Sequence, residues 1–203
     1  MKKILFILVA ILFYSILAPA KNVDSICKKS KLPSNEGKQI RDGFFSTTQQ
    51  GEIPNINNMV SSLIIKPDFN QKLPSNKAFD VTVITSNLEL GHFSNADNRY
   101  YSFSQCLNNK GQIKGHQHVT VQKINDKNPP DAKDFVFFAG LNKKPDNSGI
   151  LSVSVNATSL LNPGLYRICV MSSSFSHQPL LMPIAKRGAQ DDCIRIELVQ
   201  NRC

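Results

Sequence analysis

The sequence contains no tryptophan and only four tyrosines, so two of the residue types on which nucleic-acid bases stack are absent or scarce. Its formal net charge of +9 comes from 24 lysines and arginines against 15 acidic residues. These basic residues stand in ones and twos rather than in a continuous stripe. The composition therefore argues against nucleic acid as a partner and favours weak attraction to cell-wall polysaccharide or another anionic surface.

Motifs for nucleophilic catalysis are also absent from the sequence. It contains no G-x-S-x-G elbow, and no two cysteines have the C-x-x-C spacing of a zinc or redox site. The adjacent Asp191 and Asp192 would point to opposite faces of a strand, so they need not act together. A turn, or salt bridges with Lys186, Arg187 or Arg195, is the expected role for them. The sequence thus leans towards a protein that is not an enzyme.

A long apolar run occurs only at the start of the chain. Lys2 and Lys3 precede an apolar or small stretch from Ile4 to Ala20, which ends in Ala-Pro-Ala. This run is short for a membrane-spanning helix, and its flanks match a secretory signal peptide. We therefore predict a signal peptide over residues 1–20, an extracellular protein and no stable membrane anchor. Cleavage leaves 203 − 20 = 183 residues, enough for one domain with a sizeable core.

Secretion would place the cysteines in an oxidising compartment, where most of them should pair. They are Cys27, Cys106, Cys169, Cys193 and Cys203. We favour a Cys169–Cys193 disulfide, because both residues fall in strand-like segments near the end of the domain. The odd count leaves one cysteine over, and the pairing of the other three stays open. Asn156 begins an N-x-T glycosylation acceptor and is expected at the surface of a glycoprotein.

Short segments with strand-like patterns recur along the chain from residue 59 onward. They cover residues 59–65, 78–85, 88–93, 100–103, 115–123, 150–155, 165–171 and 194–198, and the apolar segment 135–138 should be buried. Turn residues separate them, and no convincing amphipathic helix occurs. We predict an all-β fold, an antiparallel β-sandwich over residues 59–203, with an immunoglobulin-like arrangement as the first choice. Residues 21–58 lack a sustained period and should form an irregular N-terminal arm.

The segment Gly115–Lys123 carries the most suggestive chemistry. As a strand it would turn Val119 and Val121 to the core, while His116 and His118 share the opposite face with Thr120 and Gln122. An H-x-H pair on one strand face can chelate copper or zinc.

A third imidazole is available from His177, which lies in a loop-like stretch before Pro179. If that loop folds over the strand, His116, His118 and His177 form a metal site. Otherwise the three histidines hydrogen-bond to backbone or hydroxyl groups and fix the loop against the sheet.

Several blocks of the chain carry short motifs. They are GHQHVTVQK, FVFFAGLN, LNPGLYRICVMSSSFSHQPLLMPIAKRGAQDDCIRIEL and RDGFFSTTQQGEIPNINNMVSSLII, with GHxHV, HQP, MP and RGxQDDC as the motifs. These blocks resemble a family of secreted fungal proteins of unknown function. The resemblance runs from about Gln39 to Leu198 and implies a fungal secreted protein without implying catalytic residues. Members often carry a cysteine where this chain has Phe45, which implies another partner for Cys27, such as Cys203.

Two functions are compatible with these observations. The first is a secreted, non-enzymatic β-sandwich protein that acts at a cell wall, a host surface or the extracellular matrix. The second is an extracellular copper- or zinc-binding protein centred on the H-x-H strand. The compartment, the resemblance and the missing catalytic motifs favour the first.

Overall fold

The computed structural model of the protein describes residues 30–125, 127–145, 148–156 and 162–200. The predicted signal peptide, Cys27 and Cys203 lie outside these ranges. The chain divides into two compact units, Met1–Lys31 and Leu32–Cys203, and the sheets belong to the second. In the described ranges, no helix has the length and apolarity that a membrane crossing requires.

Nine strands in the described part of the chain form two sheets. They are β1 (Ser61–Lys66), β2 (Lys72–Pro74), β3 (Phe79–Ser86), β4 (Leu88–Glu89), β5 (Ile113–Lys123), β6 (Phe137–Leu141), β7 (Ile150–Val155), β8 (Gly164–Ser174) and β9 (Cys193–Val199). The small sheet has the order β1-β3-β7 and is antiparallel. The large sheet has the order β2-β9-β8-β5-β4, and β6 also pairs with β5. Its pairs β2–β9 and β4–β5 are parallel, and its other pairs are antiparallel.

The two sheets share one apolar core. Buried members come from both sheets and are Ile64, Val81, Val83, Val119, Val121, Leu141, Val155, Tyr166, Ile168, Val170, Ile194, Ile196 and Leu198. They recur at every second position along β3, β5, β8 and β9, because successive side chains of a strand point to opposite faces. The all-β fold with mainly antiparallel pairing is thus confirmed, although the large sheet also contains two parallel pairs, and the immunoglobulin-like arrangement stays a prediction.

Strand β5 lies inside the large sheet and carries the H-x-H motif. It pairs with β8 over residues 115–123 and with β4 and β6 along its other edge. Val119 and Val121 are completely buried in the core, as their alternation predicts. Gly115 allows β8 to come close, because a Cβ at this position would lie 2.1 Å from the carbonyl oxygen of Ser173. The close pairing of β5 with β8 therefore fixes where the histidines on the outer face of β5 lie relative to β8.

Two of the short segments differ from the sequence-based expectation. Phe135 and Phe138, expected to be buried, are 53% and 48% exposed. Phe138 pairs with Thr120 in register and so shares the outer face of the large sheet, while Phe137 packs against the core. Residues 100–103 form turns rather than a strand. Their backbone instead contacts the loop after β8, since the amide of Tyr101 donates to the carbonyl of Ser176.

The structure joins Cys169 to Cys193, the disulfide that the sequence analysis favours. The two residues stand directly opposite each other in the antiparallel β8–β9 pair. Among the described cysteines, Cys106 is a free, exposed thiol. Asn156 is exposed and directly follows β7, but Thr158 of its acceptor triplet lies outside the described residues, so glycosylation stays a prediction.

A candidate metal centre of three histidines

The loop after β8 carries His177 back over the outer face of the large sheet. The amide of Ser174 donates to the carbonyl of Gln178, which closes the loop into a tight turn. The hydroxyl of Ser176 donates to the carbonyl of Phe103, which ties the loop to the chain before β5. His177 itself has a φ of 72°, a left-handed conformation that costs energy for a residue other than glycine. The surrounding contacts thus hold His177 in an unfavourable backbone conformation above β5.

The structure brings together the three histidines that the sequence singles out. Their ligand atoms all lie within 4.8 Å of one another. Nε2 of His116 is 3.0 Å from Nδ1 of His177. The ring of His118 lies edge-on to that of His116, with centroids 4.8 Å apart. His116 is completely buried, while His118 and His177 are half-buried.

Two backbone carbonyls fix which nitrogens carry the protons. Nδ1 of His116 lies 3.1 Å from the carbonyl oxygen of His92, and Nε2 of His177 lies 2.9 Å from that of Ser94. Since a carbonyl oxygen can only accept, both of these nitrogens must donate N–H. If both rings are neutral, the two nitrogens that face each other at 3.0 Å therefore carry no proton, and each presents a lone pair to the other. Two such lone pairs repel unless a cation lies against them.

Burial keeps His116 and His118 neutral. It lowers the pKa of His116 to about 3, with the charges of His118 and His177 adding to the effect. Burial and the charge of His177 lower the pKa of His118 to about 4. His116 and His118 are thus unprotonated at neutral pH, and the unprotonated imidazole is the form that binds a metal ion.

The arrangement suits a small transition-metal ion. With metal–nitrogen bonds of about 2.0–2.1 Å, the 3.0 Å separation of His116 and His177 corresponds to a nitrogen–metal–nitrogen angle of roughly 94°. Two nitrogens on one such ion are at most about 4.2 Å apart, so the set of three must close slightly around it. The outer N–H groups already donate to carbonyls, which is the usual way in which ligating histidines are oriented.

A cavity of about 550 Å³ opens beside His118 and His177. It is lined by Gln39, Ala96, Tyr100, Tyr101, His118, Phe138, Met171, Ser172, Ser173, His177, Pro179 and Asp191. Five of these residues form a ring row, in the order Phe138, His118, His177, Tyr100, Tyr101. Successive centroids are 5.0, 5.7, 6.0 and 4.2 Å apart, and successive planes differ by 27°, 23°, 30° and 14°. The metal centre thus borders a pocket with aromatic walls.

Sequence reasoning missed the orienting and lining groups of this site. The carbonyls of His92 and Ser94 leave no trace in residue type, because any residue supplies one. The side chain of His92 makes a different interaction, a 2.9 Å hydrogen bond between its Nε2 and the carboxylate of Glu89. The strand expected over residues 100–103 hid the role of Tyr100 and Tyr101, although two adjacent tyrosines in a chain with only four are an available signal.

The aspartates 191 and 192 also have a role other than the one expected. Asp191 accepts a hydrogen bond from the amide of Ser172 at 2.9 Å, and Asp192 accepts one from the amide of Ile64 at 2.8 Å. The segment before β9 is therefore linked through side chains to β8 and to β1 of the small sheet. This satisfies backbone amides that strand pairing leaves over.

The family model of the CLU5d N-terminal domain matches residues 62–199. The chain belongs to this family. It is also 42% identical over 176 residues to Pathogenicity cluster 5 protein d of the fungus Colletotrichum graminicola. That match covers 85% of this chain and 36% of the relative, so the chain spans little more than a third of the relative's length. The expected resemblance to a fungal family is confirmed at this level.

Comparison with solved structures gives only weak likenesses. A beta-glucosidase from Listeria innocua shares 10% identity with a TM-score of 0.34, covering 70% of this chain and 16% of the enzyme. A beta-glucosidase from Kluyveromyces marxianus shares 11% identity with a TM-score of 0.31, covering 70% and 14%. Likeness of this degree carries no argument about the fold or the function of the CLU5d domain.

Proposed function

We propose that this CLU5d N-terminal domain is an extracellular module that binds one copper or zinc ion through His116, His118 and His177. The observation that carries the proposal is the 3.0 Å approach of Nε2 of His116 to Nδ1 of His177, two nitrogens whose rings already donate to carbonyls from the other side. The N–H groups of both rings already donate to backbone carbonyls. A cation bound between the two facing nitrogens would therefore relieve the repulsion between their lone pairs. The chemistry of the donors selects the ion, since imidazole suits zinc and copper.

The extracellular part of the proposal is supported by the signal peptide predicted over residues 1–20 and by the Cys169–Cys193 disulfide. The kind of role is supported by the relative, whose name places it in a pathogenicity cluster of a fungus. The sequence alone favours surface binding over metal binding. The three histidines lie together because the His177 loop folds over β5, and for this reason we place metal binding ahead of surface binding.

Metal titration of the purified mature protein tests the proposal. The Cys106→Ser background removes an exposed thiol that would itself bind copper or zinc. We expect one ion per chain, and electron paramagnetic resonance of the copper form should show coupling to three nitrogens. The variants His118→Ala and His177→Asn each remove one ligand, and asparagine is chosen at position 177 because it tolerates a positive φ. Each variant should weaken metal binding by more than the roughly 10–100-fold that the loss of an orienting partner costs.

Thr120→Val serves as the matched control, because Thr120 lies on the same face of β5 two residues from His118 and is not a ligand. It should bind the ion as tightly as the parent. A stoichiometry and affinity that survive in the His118→Ala, His177→Asn double variant would overturn the proposal.

A second candidate function is binding to an anionic polymer, and a specific surface favours it. Arg167 and Arg195 stand directly opposite each other across β8 and β9. With Lys127 they line a cavity of about 210 Å³ whose described lining contains no carboxylate. Like charges placed opposite each other destabilise a strand pair, which is offset if an anion lies between them.

Co-sedimentation with an acidic polysaccharide such as polygalacturonate tests this second function. We expect binding that weakens as salt rises and that falls in an Arg167→Gln, Arg195→Gln variant. Lys72→Gln, which removes an exposed charge from the other side of β9, is the matched control. An equal loss of binding per charge removed in the two variants would attribute the effect to net charge and reject a specific site.

A further inference from the structure

The metal centre has a closed side and an open side. His116 is completely buried and donates to the backbone, so it closes one side of the centre. His118 and His177 instead line the 550 Å³ cavity, which lies in the size range of small-molecule pockets. Three protein ligands leave a fourth position on a tetrahedral ion, and here that position faces the cavity. An ion bound by the three histidines would therefore be accessible to a second ligand.

The ring row determines what kind of molecule fits beside the ion. All five members of the row line the cavity. Because neighbouring rings of the row are stacked, their faces are turned towards one another, and a ligand beside the row would meet their edges. Ring edges carry the positive end of the aromatic quadrupole. They are complemented by the face of another aromatic ring or by an anionic oxygen.

Charge points to an anionic ligand atom. Neutral histidines leave the full charge of the ion uncompensated. Asp191 is the one carboxylate among the described lining residues, so the lining offers at most one negative charge against the two positive charges of the ion. The neutral polar residues of the described lining are Gln39, Ser172 and Ser173, besides the two tyrosines.

We propose that this cavity binds a small aromatic acid whose carboxylate or phenolate oxygen takes the fourth position on the ion and whose ring lies against the ring row. The inference rests on the proposed metal site. Its ligand class follows from the combination of a cation, exposed ring edges and a cavity of small-molecule size. No bond other than the oxygen–metal bond forms, and the ligand is released unchanged.

Calorimetric titration of the copper-loaded mature protein with benzoate tests the proposal. Acetate presents the same carboxylate without a ring, and cyclohexanecarboxylate presents a ring of similar size without a π face. We expect benzoate to bind about tenfold or more tighter than acetate and roughly 3–10-fold tighter than cyclohexanecarboxylate. Removing the ion with a chelator should abolish benzoate binding.

The Tyr101→Leu variant separates the pocket from the ion, since it removes a ring at the end of the row and leaves the three ligands intact. Its copper affinity should match the parent's while its benzoate affinity falls several-fold. Copper affinity is measured first in each protein. Failure to bind copper rejects the metal site and this inference together. Normal copper binding with benzoate no tighter than acetate, or with benzoate binding that persists without the ion, overturns this inference alone.

Discussion

At the scale of single residues, the protonation of His116 and His177 depends on groups that are not side chains. The carbonyls of His92 and Ser94 accept their outer N–H groups, and the loop that supplies both carbonyls begins just after β4. The amide of Ser94 in turn donates to the carbonyl of Phe175, so the two loops over β5 hold each other. The tautomers of the metal-binding rings are thus set by backbone positions, and side-chain substitutions in these loops can leave them intact.

Stability should depend on pH through the buried histidines. In the folded protein burial lowers the pKa of His116 to about 3 and that of His118 to about 4, whereas an unfolded histidine titrates near 6.5. Below about pH 6.5 the unfolded state therefore binds more protons, and the stability present above that pH is lost as pH falls towards 4. Each ring that stays neutral contributes a slope of up to about 1.4 kcal/mol per pH unit.

Denaturant unfolding between pH 7 and 5, with a chelator present, measures this slope. The His116→Gln, His118→Gln variant should lose most of it, because glutamine does not titrate and its side-chain amide can still donate to a carbonyl. Carboxylates are common to both proteins and cancel in the comparison. Equal slopes in the parent and the variant would contradict the assignment to these rings.

At the scale of elements, a disulfide on the outer face of the large sheet links the neighbouring strands β8 and β9. Cys169 and Cys193 connect β8, which borders β5, to β9, which carries three buried core residues. The bonded residues are 24 positions apart in sequence, a loop for which chain-entropy arguments give roughly 3 kcal/mol of stabilisation.

Replacing both cysteines by serine should therefore lower the free energy of unfolding by roughly 3 kcal/mol. Chemical denaturation under non-reducing conditions measures the change. Cys106→Ser, which alters an exposed thiol, is the control and should stay within about 0.5 kcal/mol of the parent. A double variant as stable as that control would show that the bond contributes little.

At the scale of the whole molecule, a polar network crosses the apolar core between the two sheets. The side-chain amide of the completely buried Gln117 donates to the hydroxyls of Ser62 and Ser172 at 2.8 and 2.9 Å, and its carbonyl accepts from Thr85 at 3.1 Å. Ser62 and Thr85 belong to the small sheet, and Ser172 belongs to the large sheet. All of these groups are paired, so the network joins the sheets beneath the metal centre without leaving a buried polar group unsatisfied.

The predicted secretion is tested by expressing the chain with residues 1–20 in place. Expressed in a fungal host, the protein should appear in the medium and begin at Lys21, because the cleavage-type tripeptide ends at Ala20. N-terminal sequencing of the secreted product checks this. A product that retains residues 1–20 and stays in a membrane fraction would contradict the signal peptide.

Much of the architecture follows from local patterns. The alternation of Val119 and Val121 with polar neighbours predicts both the strand β5 and its core face, because burial on one face imposes a period of two. The same reasoning places His116 and His118 together on the opposite face. It fails at Phe138, whose apolar character indicates burial although its position in β6 turns it to the outer face.

The sequence by itself therefore determined the all-β class, the strand that carries the H-x-H pair and the identity of the three histidines. Only the tertiary structure decided that His177 meets His116, since the two lie 61 residues apart and their contact depends on how the loop after β8 folds over β5. It also decided the tautomers and the aromatic pocket. The physical reason is that a strand period fixes which face a side chain occupies, whereas carbonyls and loop rings reach a site only through long-range packing.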